Sequence, residues 1–323
     1  MTPALSCYST ALVEYLGGAA AGRLAAAAHL WVRTDDPDGA LAFSHHDRID
    51  DGVLVHDHRP DWPSARAALA ALLAEEGRVI VSGNAFHLLW SPHHGVRSIP
   101  HWFLLRGRDA RGWHVADPFH ALMPGGEQLP YAGVLDDDAL RRALTPVGRL
   151  DPAVRNRDAH ALGEPADPGP TDAYRWLRRA IPSPASPASP ASPAPPASPA
   201  SPASPASPAS PAGPSAGSPA RWPGVWLRAP GEVFAYLRDR LTGDADLLER
   251  HLDDLWAASR HQLHRLGPHP DPELADAWTQ LPKALRFAAD SARRGRPRTG
   301  VVERTLDTLA ALTTGREASR ARG

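Results

Sequence analysis

Apolar and polar positions alternate in two different ways over the first 150 residues. Helical spacing appears in three runs, 7–16, 64–76 and 137–144. Three other runs have the composition of buried or paired strands: 78–86, 101–107 and 113–118. The segment "RDARG" between the last two predicts a tight turn. The pattern predicts an α+β domain over residues 1–150 with a small antiparallel sheet.

Beyond residue 220 the apolar positions repeat only at helical spacing. Two runs carry the pattern: Val233, Phe234, Leu237 and Leu241, then Leu248, Leu252, Leu255, Leu263 and Leu266. The sequence predicts an α-helical domain over 221–315 without strands and a disordered tail over 316–323. It also predicts a short helix over 171–181, in a connecting segment 151–182. That helix could belong to the second domain.

A Ser-Pro-Ala repeat separates these two parts. It covers residues 183–220. Proline at every third position removes backbone donors and blocks both helix and sheet. The tract also has too few large apolar residues to form a core. We interpret it as a disordered or semi-rigid spacer.

Composition narrows the function classes. The chain has 35 basic and 36 acidic side chains and a formal charge of −1, so charge favours neither nucleic acid nor an anionic membrane as a partner. A single cysteine excludes an intramolecular disulfide and a cysteine-built zinc site. No apolar run approaches the roughly 20 residues that span a bilayer. We expect a cytoplasmic protein.

The one cysteine, Cys7, opens the first predicted helix. A helix N-terminus carries unpaired backbone N–H groups and a partial positive charge. Both favour a thiolate over a thiol, and the N–H groups could stabilise an oxyanion. Free cysteines are also among the most buried residues. The position is therefore compatible with either a nucleophile or a buried structural thiol.

His101 lies at the start of the strand–turn–strand segment and Asp117 near its end. If the strands pair about a turn near residue 110, Asp117 lies across from Phe103 and diagonally from His101 on the same face. Asp117 could then fix the tautomer of His101, which could deprotonate a thiol. A slip of one residue would separate the two side chains. With Cys7, these residues form a candidate acyl-transfer triad.

Three segments together resemble the N-terminal domain of the butirosin-biosynthesis protein H family. They are "SCYSTALVEYL", "RVIVSGNAFHLLW" and "HWFLLRGRDARGWHVADP", and the resemblance covers residues 5–150. It implies a fold like that of papain-like cysteine peptidases and transglutaminases. Cys7, His101 and Asp117 match the family's cysteine, histidine and aspartate. The helical part resembles, more loosely, the domain that often follows in this family.

The resemblance also implies an activity. The family's named member is an acyltransferase that moves an aminoacyl chain from an acyl carrier protein to an aminoglycoside amine. We therefore expect thiol-dependent acyl transfer from a carrier-bound thioester to a small-molecule amine in specialised metabolism. The chain itself would need no cofactor, since the phosphopantetheine arm belongs to the carrier. The Arg-rich segment 291–298 could meet an acidic carrier protein.

Two features depart from the family pattern. Asn84 stands near a family aspartate, and Leu88–Leu89 stands near a family Leu-Pro pair. An asparagine could donate a hydrogen bond to an oxyanion or substrate, as a carboxylate could not.

Three alternatives remain open at this stage. A cysteine hydrolase or peptidase would use the same triad, although leader peptidases usually place a glutamine before the cysteine and "MTPALS" has none. A non-catalytic scaffold protein would need no reactive thiol. The third is a metal site, for which the candidate ligands are His45, His46, Asp47, His56, Asp57, His58, His93 and His94. Their spacing matches no known site, and we favour no metal.

Overall fold

The computed structural model describes residues 5–123, 126–180 and 222–320, with side chains through Arg316. The α/β part contains five helices, namely α1 (Cys7–Leu16), α2 (Ala20–Ala27), α3 (Trp62–Glu76), α4 (Asp137–Ala143) and α5 (Pro152–Ala159). Its first strands are β1 (Ala28–Arg33), β2 (Ala42–His46), β3 (Leu54–Arg59), β4 (Val79–Asn84) and β5 (Pro100–Asp109). The later ones are β6 (Gly112–Asp117), β7 (Ala121–Met123), β8 (Gly126–Gln128), β9 (Tyr131–Leu135), β10 (Tyr174–Arg179) and β11 (Trp226–Leu227). The helical part follows as α6 (Pro230–Gly243), α7 (Ala245–Arg250), α8 (Leu252–Leu266), α9 (Pro272–Arg293) and α10 (Gly300–Arg320).

A six-stranded antiparallel sheet forms the centre of the α/β part. Its strand order is β3-β10-β4-β5-β6-β9. On one face, α1 packs on β5 through Tyr8, Leu12 and Trp102. On the other, α3 and α4 cover Val81, Phe103 and their neighbours. The α+β class with small antiparallel sheets is confirmed.

The helical part packs directly on a second sheet of order β11-β1-β2. Val32 of β1 and Phe43 of β2 share one apolar cluster with Leu237, Leu255 and the other buried leucines of the bundle. The apolar stripe that the sequence predicts is the buried face of α6 through α8, although Leu263 and Leu266 are only partly buried. The bundle therefore shares one apolar cluster with the β11-β1-β2 sheet, while each face of the six-stranded sheet has a cluster of its own.

The helix predicted over 171–181 is wrong. Residues Tyr174–Arg179 form β10, which pairs with β3 and β4 inside the six-stranded sheet. Trp176 and Leu177 are adjacent and both buried, because a central strand is covered on both faces. That double burial removes the alternation by which a strand is recognised. The α/β part thus extends past the predicted boundary at residue 150, and the short helix of this segment is α5 instead.

Two smaller differences lie in the C-terminal half. Trp226 and Leu227 pair with Arg33 and Val32 of β1, so a short strand follows the spacer where none was predicted. Helix α10 continues to Arg320, which makes residues 316–320 helical rather than part of a tail. The predicted spacer, 183–220, and residues 321–323 lie outside the described residues. In the part of the chain that is described, no helix has the length and apolarity needed to cross a membrane.

Candidate active site

Cys7 is the first residue of α1. Ser6 caps the helix: its hydroxyl accepts from Ser9 N at 3.2 Å and its carbonyl from Thr10 N at 2.9 Å. The N–H groups of Cys7 and Tyr8 therefore have no partner within the helix and project from its positive end. The thiol is free and half-buried. It lies where backbone donors could stabilise an anion formed next to it.

His101 and Asp117 come together as the strand pattern predicts. The His101 Nε2 to Asp117 Oδ2 distance is 2.6 Å, and both side chains are buried. A carboxylate can only accept, so Nε2 carries the proton. The tautomer is thereby fixed and Nδ1 is the nitrogen left for the thiol.

A β-bulge sets this register. From the turn, Asp109 pairs with Gly112 and Gly107 with His114, whereas further along Leu104 pairs with Ala116. Arg106 is the extra residue between these two registers. Continuing the second register puts Asp117 opposite Phe103. Without the bulge, Asp117 would face the opposite side of the sheet from His101.

The pKa of His101 reflects its two neighbours. Burial alone would lower this pKa, but the charge of Asp117, the charge of Cys7 and hydrogen bonds to both raise it to about 10. His101 is thus an imidazolium at neutral pH, held between a carboxylate and the sulfur. Cys7 is close enough to His101 to raise its pKa, so the three predicted residues lie together at the start of α1.

Asp117 is also held by groups that sequence reasoning missed. Its Oδ2 accepts from Trp90 Nε1 and from Gln128 Nε2, each at 2.8 Å, and its Oδ1 accepts from Phe119 N at 3.0 Å. Trp90 follows β4 and Gln128 ends β8. No spacing rule connects either residue to Asp117, because both reach it through loops. A strand-ending carboxylate flanked by aromatic residues is the only signal that the sequence offers.

Asn84 has a local role. Its Nδ2 donates to Ser98 Oγ at 2.9 Å, and its Oδ1 accepts from Phe86 N at 3.1 Å, which caps a short 3-10 helix. Gly83 pairs with His101, so the next residue, Asn84, points to the opposite face of the sheet from His101. The structure shows Asn84 as a cap, and its role as an oxyanion donor stays a prediction.

The candidate metal ligands are dispersed. His93 lies in the loop after β4, buried near His101 and Arg97. Asp57 of β3 contacts Arg59 and Arg178. Across residues 5–123, 126–180 and 222–320, no three His, Cys, Asp or Glu side chains are grouped in a way that could hold a metal ion.

A second group of histidines lies where the helical part meets α1 and β2. We call His45, His46 and His261 the interface histidines. The ring of His261 stacks at 5.3 Å from His45 and 5.6 Å from His46. Its Nδ1 donates to the Ala257 carbonyl at 2.7 Å, so its Nε2 accepts from the Ser9 hydroxyl, also at 2.7 Å.

The interface histidines are neutral. Burial is the main cause, and it lowers the pKa of His45 to about 4 and lowers those of His46 and His261. The rings of His45 and His46 also disfavour charge on His261. His261 and Ser9 thus connect the helical part to α1, two residues from Cys7. The sequence shows the histidines but not that they meet.

Comparisons with known proteins add no assignment. No protein-family model matches the chain, and no curated protein is similar enough to count as a match.

Proposed function

We propose that this protein is a thiol-dependent acyltransferase that moves an acyl or aminoacyl group from a carrier-protein thioester to an amine. The observation that carries the proposal is the His101–Asp117 hydrogen bond beside Cys7, which opens α1. Nothing in a scaffold protein requires a buried imidazolium pressed against a half-buried thiol. The papain-like or transglutaminase-like fold belongs to the same proposal, supported by α1 packing on the antiparallel sheet that carries His101.

In the first half-reaction Cys7 is the nucleophile, His101 donates a proton and Asp117 orients His101. The Cys7 thiolate attacks the thioester carbonyl carbon, and the N–H groups of Cys7 and Tyr8 stabilise the resulting oxyanion. The tetrahedral intermediate expels the carrier thiolate, which takes the proton of the His101 imidazolium. An acyl-Cys7 thioester remains, and His101 is neutral and still oriented by Asp117.

The second half-reaction restores the enzyme. An amine attacks acyl-Cys7 and gives its proton to His101 Nδ1. The intermediate expels the Cys7 thiolate and releases an amide, and the thiolate–imidazolium pair is formed again. A hydrolase would substitute water for the amine, so chemistry at Cys7 would be identical up to the acyl-enzyme. The preference for an amine over water comes from the resemblance to the acyltransferase family.

Intact-protein mass spectrometry tests the proposal. We would incubate the protein with aminoacyl thioesters of N-acetylcysteamine and with aminoacyl-loaded carrier protein. We expect one acyl mass on Cys7, absent in Cys7→Ala. Asp117→Asn should slow its formation less than loss of His101 does, because Asp117 only orients the imidazole. An unreactive thiol in the folded wild-type protein would support the scaffold alternative instead.

Amine competition then separates transfer from hydrolysis. Acyl-Cys7 would be formed first and then mixed with a panel of amines. A transferase should lose the acyl group faster with the right amine and yield an amide. A rate that no amine changes, with only free acid released, would identify a hydrolase.

A further inference from the structure

In the β7–β8 hairpin and the residue that follows it, two leucines and a glutamine are inverted in polarity relative to their usual places. Leu122 and Leu129 are exposed over 75% and 59% of their surfaces, while the polar Gln128 is fully buried. The hydrophobic effect favours the reverse arrangement. Burying an amide also costs free energy unless it is fully hydrogen-bonded, and Gln128 Oε1 has no hydrogen-bond partner among the described residues. The inversion points to a use for the Gln128 amide that outweighs this cost.

That use is visible in the contact with Asp117. Gln128 Nε2 donates to Asp117 Oδ2 at 2.8 Å and lies 3.3 Å from His101 Nε2. With Trp90, three donors converge on one carboxylate oxygen. An oxygen of a carboxylate offers about two lone-pair directions. The three donors therefore share the negative charge of Oδ2, so each hydrogen bond is weaker than it would be alone.

Two consequences follow for the reactive pair. The neutral amide occupies the side of Oδ2 that water would otherwise solvate, which fixes the carboxylate against His101. It also draws part of the charge of Oδ2 away from the imidazolium. A carboxylate bound to His101 alone would hold the proton more tightly and make its transfer to a leaving group slower.

We propose that Gln128 is a positioning residue of the reactive site, which fixes Asp117 Oδ2 against His101 Nε2 and keeps the imidazolium proton transferable. The hairpin β7–β8 delivers this residue. The inference rests on the proposed function. The charged or titratable groups that face His101 are Asp117 on β6, Cys7 on α1 and His93 in the loop after β4. Gln128 is neutral and changes the balance among them through its hydrogen bond to Oδ2 and its approach to His101 Nε2.

The test compares acylation of Cys7 by an aminoacyl N-acetylcysteamine thioester with its alkylation by iodoacetamide. Because Cys7 is the only cysteine, both reactions report on it alone. Gln128→Met keeps the length of the side chain and removes the donor. We expect acylation to be about tenfold slower, because its thiolate leaving group takes a proton from His101, whereas alkylation, whose iodide leaving group needs no proton, should stay within about twofold of wild type. We also expect the His101 titration, followed by ¹⁵N NMR, to move upward by about half a unit or more.

Leu122→Ala is the matched control, since it alters an exposed side chain of the same hairpin. It should leave the acylation rate, the alkylation rate and the titration unchanged. An unchanged acylation rate and titration in Gln128→Met would overturn the inference. So would slower acylation without a shift in the titration, because that is the result of a purely structural role. If wild-type Cys7 reacts no faster than free cysteine, the proposed function itself fails.

Two further measurements cover the case in which Gln128→Met does not fold. Gln128→Glu keeps the volume and places a second carboxylate beside Oδ2. The alkylation rate of Cys7 plotted against pH should then show an additional inflection, because the two carboxyl groups share a proton. An unchanged profile would contradict the inference. In the wild-type protein, the Gln128 amide protons should exchange slowly. Exchange as fast as that of an exposed glutamine would overturn it without any variant.

Discussion

Histidines in two regions of this protein meet opposite environments. His101 lies against the carboxylate of Asp117 and the sulfur of Cys7, and its pKa rises to about 10. His45, His46 and His261 are buried beside one another and a serine hydroxyl, and burial lowers their pKa values although the charges of Asp254 and Asp50 oppose this. The same side chain is charged in one place and neutral in the other.

The difference in charge indicates what the histidines do in each region. A buried imidazolium is stable only beside compensating charge, and it can give up a proton during a reaction. A buried neutral imidazole can accept and donate one hydrogen bond each, as His261 does with Ser9 and Ala257. The first arrangement serves chemistry, and the second connects the helical part to α1.

The largest expected effect is on the reactivity of Cys7. His101→Gln keeps an N–H donor for Asp117 but cannot exchange a proton. We expect acyl-Cys7 formation to fall by about 10²–10⁴-fold, the usual worth of a general base. His114→Gln, on the partly exposed His114 of β6, is the control and should change little. Stopped-flow or quenched mass spectrometry gives both rates. Equal rates would remove His101 from the mechanism.

The next effect is on stability. His261→Ala leaves a cavity and removes the hydrogen-bond partner of Ser9, so we expect the free energy of unfolding to fall by about 2–4 kcal/mol. The alkylation rate of Cys7 in the folded variant should stay within a few-fold of wild type. His269→Ala, at an exposed position of the helical part, is the control. Urea unfolding provides the measurement. A large loss of Cys7 reactivity without a loss of stability would show that His261 serves the chemistry and not the fold.

The pH dependence of the free energy of unfolding should report on both His101 and the interface histidines. A histidine with a lowered pKa stabilises the fold above about 6.5, and this contribution is lost as the pH falls towards about 4, as for His45. A histidine with a raised pKa stabilises the fold below about 6.5, and this contribution is lost as the pH rises towards about 10, as for His101. The free energy of unfolding should therefore have a maximum near neutral pH.

Two variants separate the two sides of that maximum, the acid limb below it and the alkaline limb above it. His101→Gln should flatten the alkaline limb and leave the acid limb. His261→Gln should flatten the acid limb only in part, because His45 and His46 still titrate there. Asp254 and Arg157 face His45, and Asp50 faces His46, so their charges contribute to the acid limb as well. Urea titrations between pH 5 and 9 would test the assignment, and it fails if either variant flattens the wrong limb.

The smallest expected effect is at Asn84. Asn84→Ala removes the cap of the 3-10 helix and should lower the free energy of unfolding by about 1 kcal/mol. If capping is its only role, acyl-Cys7 formation stays within about twofold of wild type. A fall of about 10²–10³-fold would instead identify an oxyanion donor. Ser98→Ala, which removes the hydrogen-bond partner of the Asn84 amide, is the matched control.

Much of the local structure follows from the sequence. The helix over 7–16, the strands that carry His101 and Asp117, and the apolar stripe through Val233, Phe234 and Leu237 all lie where their patterns predict. Each depends on periodicity and on capping residues such as Ser6, which act within one or two turns. The contact between His101 and Asp117 lies within one hairpin, and the register that the sequence assumed for it, with Asp117 opposite Phe103, is reached only beyond the bulge at Arg106.

What the tertiary structure alone decided is less local. The bulge at Arg106 selects the face on which Asp117 points, and a one-residue insertion in pairing leaves no mark in the composition. Strand β10 is hidden because burial on both faces removes its alternation. Gln128 reaches Asp117 through the β7–β8 hairpin, and His261 reaches Ser9 only after the helical part packs on α1. Local patterns record which face of an element is buried, whereas the identity of the neighbour depends on how the elements assemble.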